Sequence, residues 1–167
     1  MTILVRHPVI ENQFFRFKDV PALARPLGAG RVVRISGDRE VDVINDATAN
    51  VAYGFLAQKV KDPYTEMPAN YLMRSDMGSS DAFVGDPVGI IHGPGTVFET
   101  DEYVDAGGDG IDAGTLLYPD DNGKLDDADS DSANAAVGMA GAVAVALNTL
   151  TAAEAAAGKM LLVSSLI

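Results

Sequence analysis

Apolar and polar residues alternate with the two-residue period of β-strands near the C-terminal end of this chain. Residues 142–150 alternate bulky with small side chains, and residues 160–163 are apolar at every position. Between these runs, Thr151 and Glu154 have the spacing of a capping box, and Gly158 suits the left-handed conformation that ends a helix. The pattern predicts a strand, a short capped helix and a closing strand buried on both faces.

Shorter β-runs separated by turn residues fill much of the remaining chain, at residues 31–35, 41–44, 51–58, 88–91, 96–98 and 114–118. Pro119 followed by Asn122 and Gly123 predicts a hairpin turn, because Pro presets one dihedral and Asn-Gly accepts a positive φ. We expect a mainly β fold. It is a β-sandwich or β-barrel-like domain of short antiparallel strands, with an extended N-terminal arm and a short helix near the C terminus.

The expected organisation is a single β-rich domain over residues 31–167, preceded by an extended arm over residues 1–30. Pro and Gly recur within residues 1–30 too often for a long regular element. Residues 61–82 have no clear period and are expected to form an irregular excursion from the domain. Loops of this length are commonly functional or covered by a neighbour.

The arm carries three aromatic residues in four positions, next to basic residues. Two interpretations stay open, because clustered aromatic rings contribute strongly either to a core or to an interface. In one, a strand turns Phe15 and Phe17 toward the core; in the other, the stretch docks on a partner. The candidate partner-binding residues are Phe14, Phe15, Arg16, Phe17, Lys18 and Arg25.

Charge is unevenly distributed along the sequence, which carries a net charge of −12. Residues 1–41 contain seven basic and four acidic residues, whereas residues 99–131 contain twelve acids and Lys124 as the one basic residue. An acidic molecule is unsuited to nucleic acid, but its basic front could meet an acidic protein surface. Residues 132–153 carry no charged side chain except Asp-free polar positions. We therefore expect neither nucleic acid nor membrane as a partner.

The sequence offers no coherent set of catalytic groups, metal ligands or cofactor-binding motifs. Cysteine is absent, His7 and His92 are isolated, and the glycine-rich phosphate signatures are missing. We expect a non-enzymatic protein with no cofactor and no resident metal. Its chemistry is that of surfaces which hold other surfaces together.

Calcium is the strongest metal candidate, because Asp127, Asp129 and Asp131 alternate as the first ligands of a calcium loop do. The remainder of that loop fails. Ser132 stands where the sharp turn needs Gly, and Gly138 stands where a bidentate Glu belongs. Residues 126–131 are therefore expected to form a solvated acidic turn.

Three segments together resemble the head decoration, or capsid cement, proteins of tailed bacteriophages. They are residues 30–38 leading to Ala52-Tyr-Gly-Phe-Leu56, residues 85–91, and residues 114–125. The apolar runs 142–147 and 161–163 fit the same style, so the likeness covers residues 30–167. It leaves residues 1–30 and 61–82 unexplained.

The resemblance implies a non-enzymatic virion structural protein, often a homotrimer, on the outer capsid surface. It would stabilise contacts between major capsid protein subunits. The arm would then lie along the capsid, and the acidic loops of residues 105–131 would face solvent. The alternatives are a phage tail or neck structural protein and a calcium- or carbohydrate-binding β-module, the latter favoured by the acid-rich loops.

Overall fold

The computed structural model describes residues 4–5, 10–12, 15–18, 27–45, 50–61, 81–127 and 141–167. The chain is mainly β, with curled sheets that form half-barrels and one short C-terminal helix, as the sequence pattern predicts. The strands in chain order are β1 (Leu4–Val5), β2 (Ile10–Asn12), β3 (Arg16–Phe17), β4 (Val32–Gly37), β5 (Glu40–Val43), β6 (Gly54–Leu56), β7 (Lys59–Lys61), β8 (Asp81–Phe83), β9 (Ile90–His92), β10 (Val97–Thr100), β11 (Tyr103–Val104), β12 (Gly110–Ile111), β13 (Leu116–Pro119), β14 (Leu125–Asp126), β15 (Ala144–Ala146), β16 (Leu150–Thr151) and β17 (Leu161–Ser165). Helix α1 (Ala152–Ala156) lies between β16 and β17.

Two large sheets organise these strands. The seven-stranded sheet has the order β1-β10-β17-β15-β13-β14-β11, and the six-stranded sheet has the order β2-β9-β6-β4-β5-β3. Strand pairs β12-β16 and β7-β8 form two small additional sheets. Most neighbours are antiparallel, but β3-β5, β7-β8 and β11-β14 are parallel.

The buried apolar residues form two separate clusters, one on each face of the six-stranded sheet. Because successive side chains of a strand point to opposite faces, neighbouring residues such as Val32 and Val33 belong to different clusters. The main core lies between the two large sheets and contains Val32, Ile44, Phe55, Ile91, Phe98, Tyr103, Ile111, Leu117, Leu125, Val143, Ala144, Ala146, Leu150, Leu161 and Val163. The second core contains Phe17, Leu27, Val33, Val41, Val43, Leu56, Val60, Ala82, Val88 and Ile90.

Small residues form the buried face of β15, in the middle of the seven-stranded sheet. Ala144 and Ala146 are fully buried, whereas Val145 is half-buried and Leu147 is 44% exposed. The bulky face of this run therefore points away from the core. Small side chains here leave room for the larger residues of the facing sheet, in keeping with the close packing of protein interiors.

Strand β17 is buried on one face, so the expectation of burial on both faces is wrong. Leu161, Val163 and Ser165 are buried, but Leu162 and Ser164 are half-buried. The antiparallel pairs with β10 and β15 supply neighbours in the plane of the sheet. Hydrogen-bonded neighbours complete the backbone of a central strand without covering its second face.

The predicted capped helix is confirmed as α1. The Thr151 hydroxyl accepts the Glu154 N–H, and the Glu154 carboxylate accepts the Thr151 N–H at 3.0 Å. Gly158 has φ of +67°, as expected for the residue that ends the helix. No α1 residue is buried, and Tyr103 donates to the Lys159 carbonyl at 2.7 Å just beyond the helix. Such a short helix depends on these caps and contacts, because helix nucleation is unfavourable.

The predicted hairpin at residues 119–123 is also confirmed, since it joins the antiparallel pair β13-β14. One oxygen of Asp120 accepts the N–H groups of Asn122 and Lys124, and Gly123 has φ of +70°. A Cβ on Gly123 would lie 2.8 Å from the Val32 carbonyl oxygen. The hairpin therefore needs Gly for its conformation and for close contact with β4.

The described parts of residues 1–30 pair with both large sheets. Strand β1 pairs with β10, β2 with β9, and β3 with β5. Leu27 exchanges two backbone hydrogen bonds with Val60, each 2.9 Å long. The boundary between arm and domain at residue 30 stays a prediction.

The two ends of the predicted excursion lie side by side, because β7 and β8 pair in parallel. Lys61 is the partner of Phe83 in this pair. Residues 62–80, which make up almost all of the excursion, lie outside the described residues.

A buried ion pair joins the two large sheets. Arg31 Nε donates to the Glu102 carboxylate at 2.8 Å, and Arg31 Nη1 donates to the Asn122 carbonyl at 3.1 Å. Next to it, Thr100 donates to the Ala29 carbonyl. A buried guanidinium needs such acceptors, since an unpaired buried charge is costly.

Candidate functional site

The predicted partner-binding stretch forms β3 and its flanks, and it is hydrogen-bonded on both sides. Toward β5, Arg16 and Lys18 donate to the carbonyls of Arg39 and Val41. Toward residues 85–88, Phe17 donates to the Asp86 carbonyl, and its own carbonyl accepts the Gly85 N–H. The described residues 15–18 are therefore part of the folded sheet.

The aromatic residues of this stretch face inward. Phe17 is buried in the second core, and Phe15 packs edge-on against Tyr53 with ring centroids 5.3 Å apart. These positions agree with the interpretation in which both rings face the core. Phe14 and Arg25 lie outside the described residues.

Arg16 and Lys18 point the opposite way and are exposed. Lys18 Nζ lies 3.7 Å from the Glu40 carboxylate, in a pair whose side chains are about half exposed. Exposed ion pairs of this kind contribute little to stability. Of the six candidates, Arg16 and Lys18 are therefore the two that the structure places at the surface. We name them the basic pair.

Three carboxylates from two separate loops come together elsewhere on the surface. Asp105, Asp109 and Asp127 have oxygen atoms within 4.8 Å of one another, and no ion is present among them. Asp105 accepts the N–H groups of Gly108 and Gly110, at 2.8 and 2.9 Å. Asp127 accepts the Ala106 N–H at 3.0 Å. These bonds offset part of the mutual repulsion, because carboxylates are stabilised by backbone donors.

The sequence identified Asp127 as a candidate calcium ligand but missed its neighbours. Asp105 and Asp109 are more than fifteen positions away in sequence, and only the pairing of β11 with β14 brings their loop to Asp127. Asp129 and Asp131 lie outside the described residues. The repeated Asp and Gly of residues 105–110 would have been the signal for a tight acidic loop.

The predicted solvated turn at residues 126–131 is wrong at its first residue. Asp126 belongs to β14 and is 5% exposed. It pairs with Tyr118 on one side and Val104 on the other. Its burial follows from this central position in the sheet, which the acidic sequence does not reveal.

Tyr103 lies between the acidic loop and α1. Burial raises the pKa of its phenol, and the nearby charges of Asp101 and Asp105 raise it further. Both effects disfavour the phenolate, so Tyr103 keeps its proton and donates to the Lys159 carbonyl. Tyr103 is therefore a structural link of this region.

His92 ends β9 and is half-buried, whereas the sequence suggested an exposed turn residue. Its ring stacks on Tyr53 with centroids 5.5 Å apart. Ile10 of β2 is its partner across the strand pair. His7 lies outside the described residues.

Comparisons with known proteins give no relative. No protein-family model matches the chain, and no curated protein matches it in sequence. Within the described residues, no helix is long and apolar enough to cross a membrane.

Proposed function

We propose that this protein is a non-enzymatic virion structural protein, a decoration or cement protein of an icosahedral phage capsid. It binds the outer capsid surface as a homotrimer and stabilises contacts between major capsid protein subunits. It takes no cofactor and binds neither nucleic acid nor membrane. The mainly β fold and the decoration-like phrases of residues 30–167 support this proposal.

The observation that carries the proposal is the basic pair on an otherwise acidic molecule. Arg16 and Lys18 are exposed on a strand that is hydrogen-bonded on both sides, while the whole chain carries a net charge of −12. A positive site fixed on a firm sheet suits an acidic protein surface, because charge complementarity directs docking and sets its register. Many copies on a symmetric shell then add their modest interfaces.

The test is co-sedimentation with empty capsid shells built from the major capsid protein of the same phage. Arg16→Glu with Lys18→Glu should weaken binding at least tenfold, since two attractive contacts become repulsive. Lys124→Glu with Lys159→Glu makes the same charge change elsewhere and should leave binding intact. Equal losses in both variants would exclude the basic pair as the docking site.

Deletion of residues 1–20 is a poorer test, because it also removes the buried Phe17 from the second core. Light scattering of the free protein measures its oligomeric state independently. A stable ring in solution without capsid affinity would instead favour the tail or neck alternative.

The calcium- or carbohydrate-binding alternative rests on the cluster of Asp105, Asp109 and Asp127. A ligand that binds only the folded state raises the melting temperature by mass action. A melting temperature that rises with calcium in the parent but not in Asp109→Asn, in a protein that ignores capsids, would replace the decoration function.

A further inference from the structure

Strand β4 has an open edge along its second half. On one side it pairs with β5 over most of its length, from Val33 to Gly37. On the other side β6 pairs with only Val32 and Val33. The last described hydrogen bond on that side runs from the Tyr53 N–H to the Val33 carbonyl, at 2.7 Å.

The backbone of Ile35 points toward this open side. In an antiparallel strand, alternate residues direct their N–H and C=O groups to the same side. Val33 directs its carbonyl to Tyr53, so Ile35 directs its groups the same way. Val41, the partner of Ile35 on β5, gives its carbonyl to Lys18 on its far side, as expected for a pair without mutual hydrogen bonds. Within the described residues, the backbone groups of Ile35 have no hydrogen-bond partner.

A groove of about 320 Å³ occupies the place where β6 would have continued. Its lining residues are Arg34, Ile35, Asn50, Val51, Ala52 and Tyr53. Ile35 is 52% exposed and Val51 is 86% exposed, which makes them two of the four exposed large hydrophobic residues in the described chain. The open backbone and the exposed apolar side chains therefore coincide in one place.

We propose that this groove binds an extended segment of a partner polypeptide, which adds a strand beside β4. Unpaired strand groups are satisfied by another strand, the mode of recognition called β-augmentation. We name this site the β4 edge, comprising Ile35–Gly37 and the groove residues.

The geometry also specifies the side chains of the segment. Directly opposed residues on paired strands share a face of the sheet. The residue opposite Ile35 should therefore be apolar. The residue opposite Arg34 should be acidic, because Arg34 is the one charged residue in the lining. An alternation of acidic and apolar residues fits both requirements.

The length of the edge favours a flexible segment over a second folded copy. Stable complexes between folded proteins bury roughly 1,200 Å² or more. Three or four strand residues offer far less area, and two copies each carry a net charge of −12. The proposal rests on this geometry alone and is independent of the capsid function.

The experiment titrates the isotope-labelled full chain with a synthetic peptide of alternating Glu and Val, capped at both ends, and follows amide shifts by NMR. The amides of Ile35, Gly37 and Val51 should shift with a dissociation constant on the order of 1 mM, a weak affinity suited to a short edge. Absence of shifts at these amides with peptide at about ten times that concentration would overturn the proposal.

Two variants sharpen the test. Ile35→Pro removes the outward N–H without breaking a hydrogen bond inside the described protein, since Pro is tolerated on strand edges. It should weaken peptide binding at least tenfold, whereas Leu147→Thr, at another exposed apolar position, should not. If Ile35→Pro does not fold, a peptide N-methylated at the Val opposite Ile35 gives the same comparison on the unaltered protein. Equal binding of methylated and unmethylated peptide would overturn the strand-addition mode. Shifts at Ile35 that depend on protein concentration alone would assign the edge to a second copy and overturn the proposed occupant.

Discussion

The main core and the second core are built from different parts of the chain in different ways. Twelve of the fifteen buried residues of the main core come from residues 91–163, whereas every buried residue of the second core precedes residue 91. The main core is enclosed by two large sheets. The second core lies on the far face of the six-stranded sheet and is closed by short pieces of chain.

These short closing pieces have few hydrogen bonds each. Leu27 joins Val60 through one isolated bridge, and the pair β7-β8 is only three residues long. A region held by a few local contacts opens at lower free energy than a region embedded in a large sheet. We therefore expect the second core to open locally while the main core persists.

The largest expected effect compares one Phe from each core. Phe98 is fully buried and packs on Phe55 with ring centroids 4.9 Å apart, while Phe17 is buried in the second core. Phe98→Ala should lower the free energy of unfolding by about 3–5 kcal/mol, because it removes a large side chain and leaves a cavity. Phe17→Ala should instead release hydrogen exchange mainly in β3 and β5. Denaturant unfolding with native-state hydrogen exchange measures both. Equal release across both sheets in the two variants would mean that the cores unfold as one unit.

The next effect concerns the ion pair that joins the two sheets. Arg31→Met leaves the Glu102 carboxylate buried without its cation and should cost about 3 kcal/mol. Arg31→Met with Glu102→Leu should recover most of this loss, because no buried charge is left unpaired. Urea unfolding of both variants measures the difference. A double variant as unstable as the single one would show that the charge itself is needed.

A smaller effect is expected at the cap of α1. Thr151→Ala removes the hydroxyl that accepts the Glu154 N–H and should cost about 1 kcal/mol. Thr151→Ser retains the hydroxyl and serves as the matched control. Thermal unfolding compares them. If the Ala and Ser variants melted together, the capping hydrogen bond would contribute nothing measurable.

The smallest effect is the pH dependence of the same cap. Hydrogen bonds from Lys159 and Thr151 lower the pKa of Glu154 from 4.5 to about 2. The folded state thus favours the carboxylate. Its contribution to stability is present above pH 4.5 and is lost as the pH falls toward 2. Glu154→Gln should flatten this part of the melting curve against pH, and an unchanged slope would assign it to other carboxylates.

Local chemistry explains which elements the sequence predicts correctly. Thr151, Glu154 and Gly158 act within one or two turns of helix, and Asn122-Gly123 acts within one hairpin. Their hydrogen bonds form between near neighbours, so tertiary context has little to alter. The strand expected at residues 51–58 is shorter, however. Strand β6 covers Gly54–Leu56 only, because the chain leaves β4 before residue 53 and exposes Val51.

The candidate sites were predictable in part. The sequence offered both a core-facing and a docking interpretation for residues 14–18, and the sheet separates them by face: Phe17 is buried, while Arg16 and Lys18 are exposed. The meeting of Asp105 with Asp127 and the open edge at Ile35 were not predictable. Each depends on which strand lies beside which, and no local pattern encodes that choice.

The sequence alone determined the mainly β class, the capped helix and the β13-β14 hairpin, because alternation, capping and turn chemistry act over a few residues. Only the tertiary structure decided that Ala144 and Ala146 face the core, that Asp126 is buried, and that the apolar residues divide into two cores. Alternation states that a strand has two faces, but pairing with distant strands decides what each face meets. Long-range pairing also leaves the β4 edge open, and it brings the basic pair to the surface beside β5.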